Sequence, residues 1–106
     1  MDIKKIKIIA IQYRRLLKNN GITPEIIILF GSYANNSQRP DSDIDLAVVS
    51  QDLGKDRFKE GSILNRLSHQ INPKLEVVPI GLNDYFDKSN ISPILHQIKN
   101  SGTPLI

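Results

Sequence analysis

No cysteine occurs in the 106 residues, which removes disulfides, thiolate zinc sites and cysteine nucleophiles together and gives no sign of an oxidising compartment. Tryptophan is also missing. Three Tyr and three Phe are too few to suggest a stacking platform for single-stranded nucleic acid, so a nucleic-acid partner is not expected. No apolar run approaches the ~20 residues of a membrane span. Met1-Asp2-Ile3-Lys4-Lys5 lacks the apolar stretch and small-residue cleavage site of a signal peptide, so the expected setting is cytoplasmic, without a membrane. Neither sign of charge dominates: 14 basic and 11 acidic residues leave +3, which permits an anionic partner without requiring one. Repeats, low-complexity stretches and linkers are absent too, and residues 1–106 read as one domain. So short a chain keeps little sequence for recognising a large substrate.

What is present is a run of short, well-punctuated elements. From Asp2 to Asn20, Ile3, Ile6, Ala10, Tyr13 and Leu17 recur at helical steps of three and four, and Asn19-Asn20-Gly21 supplies a stop. Ile26-Ile27-Ile28-Leu29-Phe30 reads as a strand buried on both faces. Gly31-Ser32 ends it, and Tyr33 to Ser37 is expected as a short helix. Asp43 to Ser50 reads as a second strand, with residues 43, 45, 47 and 49 on one face and Ile44, Leu46 and Val48 on the other. Phe58 to Ile71 has helical spacing, Leu75 to Ile80 reads as a third strand, and Ser92-Pro93 is a capping serine followed by a first-turn proline. The alternation implies an α/β (α+β) fold, a small mixed sheet with helices packed on it.

The chemistry lies between Phe30 and Glu76. A buried strand delivers Gly31-Ser32 at its carboxyl end, where a glycine admits an anion close to the backbone and a serine hydroxyl can donate to phosphate. Ten residues later comes Asp43-Ile44-Asp45. Strand residues i and i+2 point the same way with Cα atoms roughly 6.5 Å apart, so their carboxylates can converge on a metal pair about 3.5–4 Å apart. Hard oxygen ligands of this kind suit magnesium. In water two such carboxylates repel by only about 0.7 kcal/mol, but at an effective dielectric near 20 the cost is about 3 kcal/mol and a cation is the natural remedy. An isolated Asp-x-Asp is more often solvated surface than site. Here a Gly-Ser turn precedes it, apolar residues surround it, and Glu76 interrupts the apolar run of a later strand. If that strand lies beside Asp43–Ser50, Glu76 completes a three-carboxylate site; otherwise it is the solvent-facing half of an alternation.

Leu29-Phe30-Gly31-Ser32-Tyr33-Ala34, Asp41-Ser42-Asp43-Ile44-Asp45-Leu46-Ala47-Val48-Val49 and Pro73-Lys74-Leu75-Glu76-Val77-Val78-Pro79-Ile80 together resemble the DNA-polymerase-β-like nucleotidyltransferases, and within them the minimal nucleotidyltransferase (MNT) proteins. With Pro93 to Ile106 the resemblance covers nearly the whole chain. It implies the nucleotidyltransferase fold, with Asp43, Asp45 and Glu76 binding two Mg2+ ions and acting as the catalytic carboxylates. Gly31 and Ser32 would hold the triphosphate of ATP. One departure stands out: many members carry Ala-Arg-Gly where this chain has Ala34-Asn35-Asn36. A phosphate-facing arginine is missing there, with Arg39 open as a substitute.

The same resemblance implies an acceptor. MNT proteins pair with helical HEPN toxins as their antitoxins, and the expected reaction is transfer of AMP from ATP to a tyrosine hydroxyl of such a toxin. Two alternatives stay open: an antitoxin that masks its partner without catalysis, and transfer to a small molecule or nucleic acid. Homo-oligomerisation is open as well. Other features have plain explanations. Lys4, Lys7, Arg14 and Lys18 form a solvated helix flank. His69 and His96 lack a second histidine at ligand spacing. Tyr33 either lines the nucleotide pocket or packs, Asp41 caps the turn before the second strand, and Lys55, Arg57 and Lys59 make a charged helix start.

Overall fold

In the computed structural model, which describes residues 1–106, the first apolar stripe becomes α1 (Ile3–Asn19), burying Ile6, Ala10, Tyr13 and Leu17 along one side. Asp2 caps it, its carboxylate accepting from the Lys5 amide at 3.0 Å, which satisfies an N–H that the first turn leaves without a helical partner. β1 (Ile26–Phe30) follows, four of its five residues fully buried.

A single 3-10 turn at Gly31–Tyr33 comes directly after β1, so helical backbone begins two residues before the expected Tyr33–Ser37 segment. Gly31, at φ +73°, makes the abrupt reversal, in a region of backbone space that costs other residues energy. β2 is Ile44–Ser50, which corrects the expected start at Asp43. The register with the neighbouring strand opens at Ile44↔Leu75, and Asp43 stands one residue outside it.

The remaining elements are α2 (Arg57–Ile71), β3 (Leu75–Gly81), α3 (Leu82–Phe86), α4 (Pro93–Ser101) and β4 (Thr103–Pro104). α4 begins as the Ser92-Pro93 pair implied, with Ser92 Oγ accepting from the Leu95 amide, and Gly102 closes it. The sheet order is β3-β2-β1-β4. β1 is antiparallel to β2 and to β4, while β2 and β3 are parallel. This is the mixed sheet with packed helices that the element order implied.

Alternation along the strands divides the core in two. Ile27, Leu29, Ile44, Leu46, Val48, Leu75 and Val77 face α1 and α2. Ile28, Phe30, Ala47, Val49 and Ile80 face α4, against Leu95 and Ile98. The two helices of the first layer are joined by a buried hydrogen bond from Tyr13 Oη to the Leu64 carbonyl at 2.8 Å. Burial pushes the Tyr13 hydroxyl well above its ordinary pKa, so it stays a donor. The radius of gyration is 12.8 Å, as expected for about a hundred compact residues.

Candidate active site

Parallel pairing of β2 with β3 settles where Glu76 stands. The register sets Asp45 directly opposite Glu76 on one side and opposite Phe30 on the other. Residues in register share a face of the sheet, so Asp45 and Glu76 lie on the α4 face. Ala47, Val49 and Ile80 of that face are buried, whereas Asp45 is only half-buried and Glu76 exposed. The acids therefore occupy the uncovered end of a face whose other end is apolar core. That end combines the carboxyl terminus of β1 with the amino termini of β2 and β3, because β1 runs against the other two.

Gly31 completes the wall. A Cβ added to it would overlap Asp45 Oδ2 and lie 3.2 Å from Asp45 Cγ, so the carboxylate occupies the volume that any other residue would need. Ser32 is half-buried; its carbonyl accepts from the Ser37 amide at 2.9 Å, holding the turn, while its hydroxyl is left to other partners. Asp43, exposed and preceding β2, sits at the mouth. The loop that carries it is tied to β3 by Lys74, whose ammonium donates to the Pro40 carbonyl at 2.6 Å. Lys74 was not singled out in the sequence, where nothing marks a lysine beside a strand as a loop anchor.

Electrostatics record the crowding. Burial first, then the charges of Glu76 and Asp43, push the Asp45 carboxyl up to about 6. No three His, Asp or Glu side chains close into a metal-holding group on their own. The donors are nonetheless all carboxylate oxygens, gathered around the Asp45 group that pays for the crowding. Magnesium suits such an open set because it keeps waters and draws further ligands from substrate phosphates. The residues present fit a divalent cation, with Asp43, Asp45 and Glu76 as the side chains that would hold it.

The other candidates fall into place or away. Tyr33 is buried in the core on the α1 and α2 side, so it packs. The turn before β2 is held by Ser42, not Asp41: the Arg39 amide donates to Ser42 Oγ at 2.8 Å and the Ser42 amide to the Arg39 carbonyl at 3.0 Å. Asn36 has φ +55°, a left-handed conformation that asparagine tolerates. It stands where the Ala-Arg-Gly pattern has its glycine. Lys55, Arg57 and Lys59 lie past the far end of β2, about 20 Å of strand from the acids. His96 Nε2 is paired with the Asn100 side-chain amide at 2.8 Å, and His69 with a backbone carbonyl of β3.

A family model described as polymerase beta, nucleotidyltransferase, matches residues 7–106. Among solved structures, a chain in a crystal structure of a toxin-antitoxin with AMP-PNP is 26% identical at a TM-score of 0.58, over 94% of this chain and 72% of that one. A tyrosine-to-alanine mutant of the toxin-antitoxin MntA-HpeT is 28% identical at 0.56, over 87% of this chain and 67% of the other. A structure of the tri-AMPylated Shewanella oneidensis HEPN toxin in complex with MNT antitoxin matches at 24% identity and 0.53, over 93% and 70%, and shares the fold. No curated protein matches the chain. No helix is long and apolar enough to cross a membrane.

Proposed function

Because this chain belongs to the polymerase beta nucleotidyltransferase family, we propose that it transfers AMP from ATP to a tyrosine hydroxyl of a HEPN-type toxin and acts as that toxin's antitoxin. The observation that carries the reading is the in-register pair Asp45↔Glu76, with Asp43 at its mouth and Gly31 fitted against Asp45. Similarity to chains of toxin-antitoxin complexes, one with AMP-PNP, supports a protein acceptor and an adenine nucleotide. The cytoplasm is the setting that supplies both.

The superfamily generally works with a divalent metal. Bound between Asp43, Asp45 and Glu76, two Mg2+ ions would supply charge neutralisation for the triphosphate and a lower pKa for the acceptor hydroxyl. The chain's own residues do the rest. Gly31 lets phosphate oxygens approach the backbone, and the Ser32 hydroxyl donates to them. Glu76, exposed beside Asp45, faces the incoming hydroxyl and takes its proton. The acceptor oxygen bonds to the α-phosphorus as the bond to the β-phosphate oxygen breaks, and pyrophosphate leaves.

The test is transfer of label from [α-32P]ATP to a co-purified HEPN-type partner with Mg2+. Label on the partner, lost in Asp43→Ala and Asp45→Ala variants that still fold, is the expected result. Neutralisation of the toxin by an unlabelled complex, unaffected by those substitutions, would instead establish masking by binding.

A further inference from the structure

β3 is an edge strand, and its outer side is not left to solvent. Asn65 of α2 donates from Nδ2 to the Val77 carbonyl at 2.9 Å and accepts at Oδ1 from the Val77 amide at 2.9 Å. One helical turn on, His69 Nε2 donates to the Leu75 carbonyl at 3.0 Å; a carbonyl only accepts, so this bond requires the proton on Nε2. The spacing is matched. Residues i and i+4 of a helix rise about 6 Å, and residues i and i+2 of a strand about 6.6 Å, so two side chains of α2 meet alternate residues of β3. Pro79, two residues further, has no N–H to offer on that edge.

The residue between the two anchored ones is Glu76. In a parallel strand, alternate residues direct their backbone groups to opposite sides, and Lys74, of the same parity as Glu76, accepts from the Ile44 amide of β2 at 2.8 Å. The backbone at Glu76 is thus turned to β2, while its neighbours on both sides are clamped by α2. Asn65 and His69 also wall, with Asp43, Pro73, Leu75 and Glu76, an open cleft of about 420 Å3. We infer that Asn65 and His69 are positioning residues: acting as a surrogate outer strand, they fix the register of β3 and so hold the Glu76 carboxylate opposite Asp45. The inference rests on the proposed role of Glu76 in binding a divalent cation.

Mn2+ binding to the full chain, measured by calorimetry or electron paramagnetic resonance, gives a readout that needs no turnover. Asn65→Ala is expected to weaken Mn2+ binding at least threefold. It should lower kcat at least fivefold while leaving KM for ATP within twofold. In a Glu76→Gln background the same substitution is expected to leave Mn2+ affinity within 1.5-fold, because the group it acts through is gone. Tyr13→Phe, which removes the other long-range bond to α2, controls for lost stability and should leave both readouts unchanged. Should Asn65→Ala fail to fold, His69→Ala carries the test, with His69→Gln, which restores a donor, expected to recover most of the loss. An equal loss of Mn2+ affinity with and without Glu76, or no loss in either, overturns the positioning role alone. An unmodified chain that binds no Mn2+, or a Glu76→Gln variant that binds it undiminished, overturns it together with the proposed role of Glu76.

Discussion

The Asp45 carboxylate lies against Gly31, in the space where any other residue would carry its Cβ. Two separate demands fall on that glycine, a φ of +73° and room for a carboxylate. Gly21 allows them to be separated, since it has φ +82° with nothing within 4 Å of an added Cβ. Gly21→Ala should cost about 1–2 kcal/mol of stability from the backbone alone and leave transfer intact. Gly31→Ala should cost about 1–3 kcal/mol more through the clash and reduce transfer at least 100-fold. Chemical denaturation and the labelling assay, run on both variants, separate the two effects.

Asp45 makes the stability of the metal-free protein depend on pH. Its carboxyl, raised in the fold from 3.8 to about 6, favours folding when protonated. Its contribution is therefore fully present below about pH 4 and lost as pH rises through 6. Because the group is only half-buried, solvent screening limits the effect to about 1 kcal/mol. With EDTA present, Asp45→Asn is expected to be the more stable protein at pH 7.5 and to lack that pH-dependent slope. Mg2+ should raise Tm in the parent and not in the variant. A parent that is the more stable of the two in EDTA would count against the crowding of charge.

Glu60 presents the opposite sign. Burial raises its carboxyl, but bonds accepted from the Gly54, Asp56 and Lys55 amides outweigh it and hold the group below its ordinary value. The distances are 2.8 Å to Gly54 and 3.0 and 3.1 Å to Lys55 and Asp56. Stability from this group is present above its unfolded pKa and lost as pH falls through the folded one. Glu60→Gln, with one acceptor oxygen in place of two, should cost about 1–2 kcal/mol at pH 7. Since Glu60 sits at the end of the sheet remote from the acids, kcat should be unchanged.

Lys74 is expected to matter for activity more than for stability. Its bond to the Pro40 carbonyl anchors the loop that brings Asp43 to the site, yet it lies at the surface, where a single polar contact contributes about 0.5 kcal/mol. Lys74→Met should lower transfer about three- to tenfold with a Tm shift near zero. A large Tm shift with undiminished transfer would assign it a structural role only.

Much of this was legible along the chain. The helical stripe of α1, the doubly buried run of β1, the Ser92-Pro93 start of α4 and the alternation that separates Asp45 from Ile44 and Leu46 are all short-range patterns. Each is set by residues within two or four positions of one another. α3 and β4 were not legible: five residues are too few to display a helical period, and two residues become a strand only by pairing with Ile28 and Leu29 of β1. The start of β2 was missed by one residue, because Asp43 alternates correctly but has no partner across the ladder.

The amino-acid sequence by itself determined the inventory of the site: a Gly-Ser turn, two aspartates one residue apart, and a glutamate in an otherwise apolar strand. Tertiary structure alone decided that they share one end of the sheet. Glu76 stands beside Asp45 because β3 lies parallel to β2 in one register, a pairing between segments thirty residues apart. It alone showed that Asp45 fills the space beside Gly31, and that Asn65 and His69 grip the strand around Glu76. Periodicity reports which face a side chain takes on its own element. Which elements become neighbours depends on non-local pairing and burial, and no local pattern of residues encodes that.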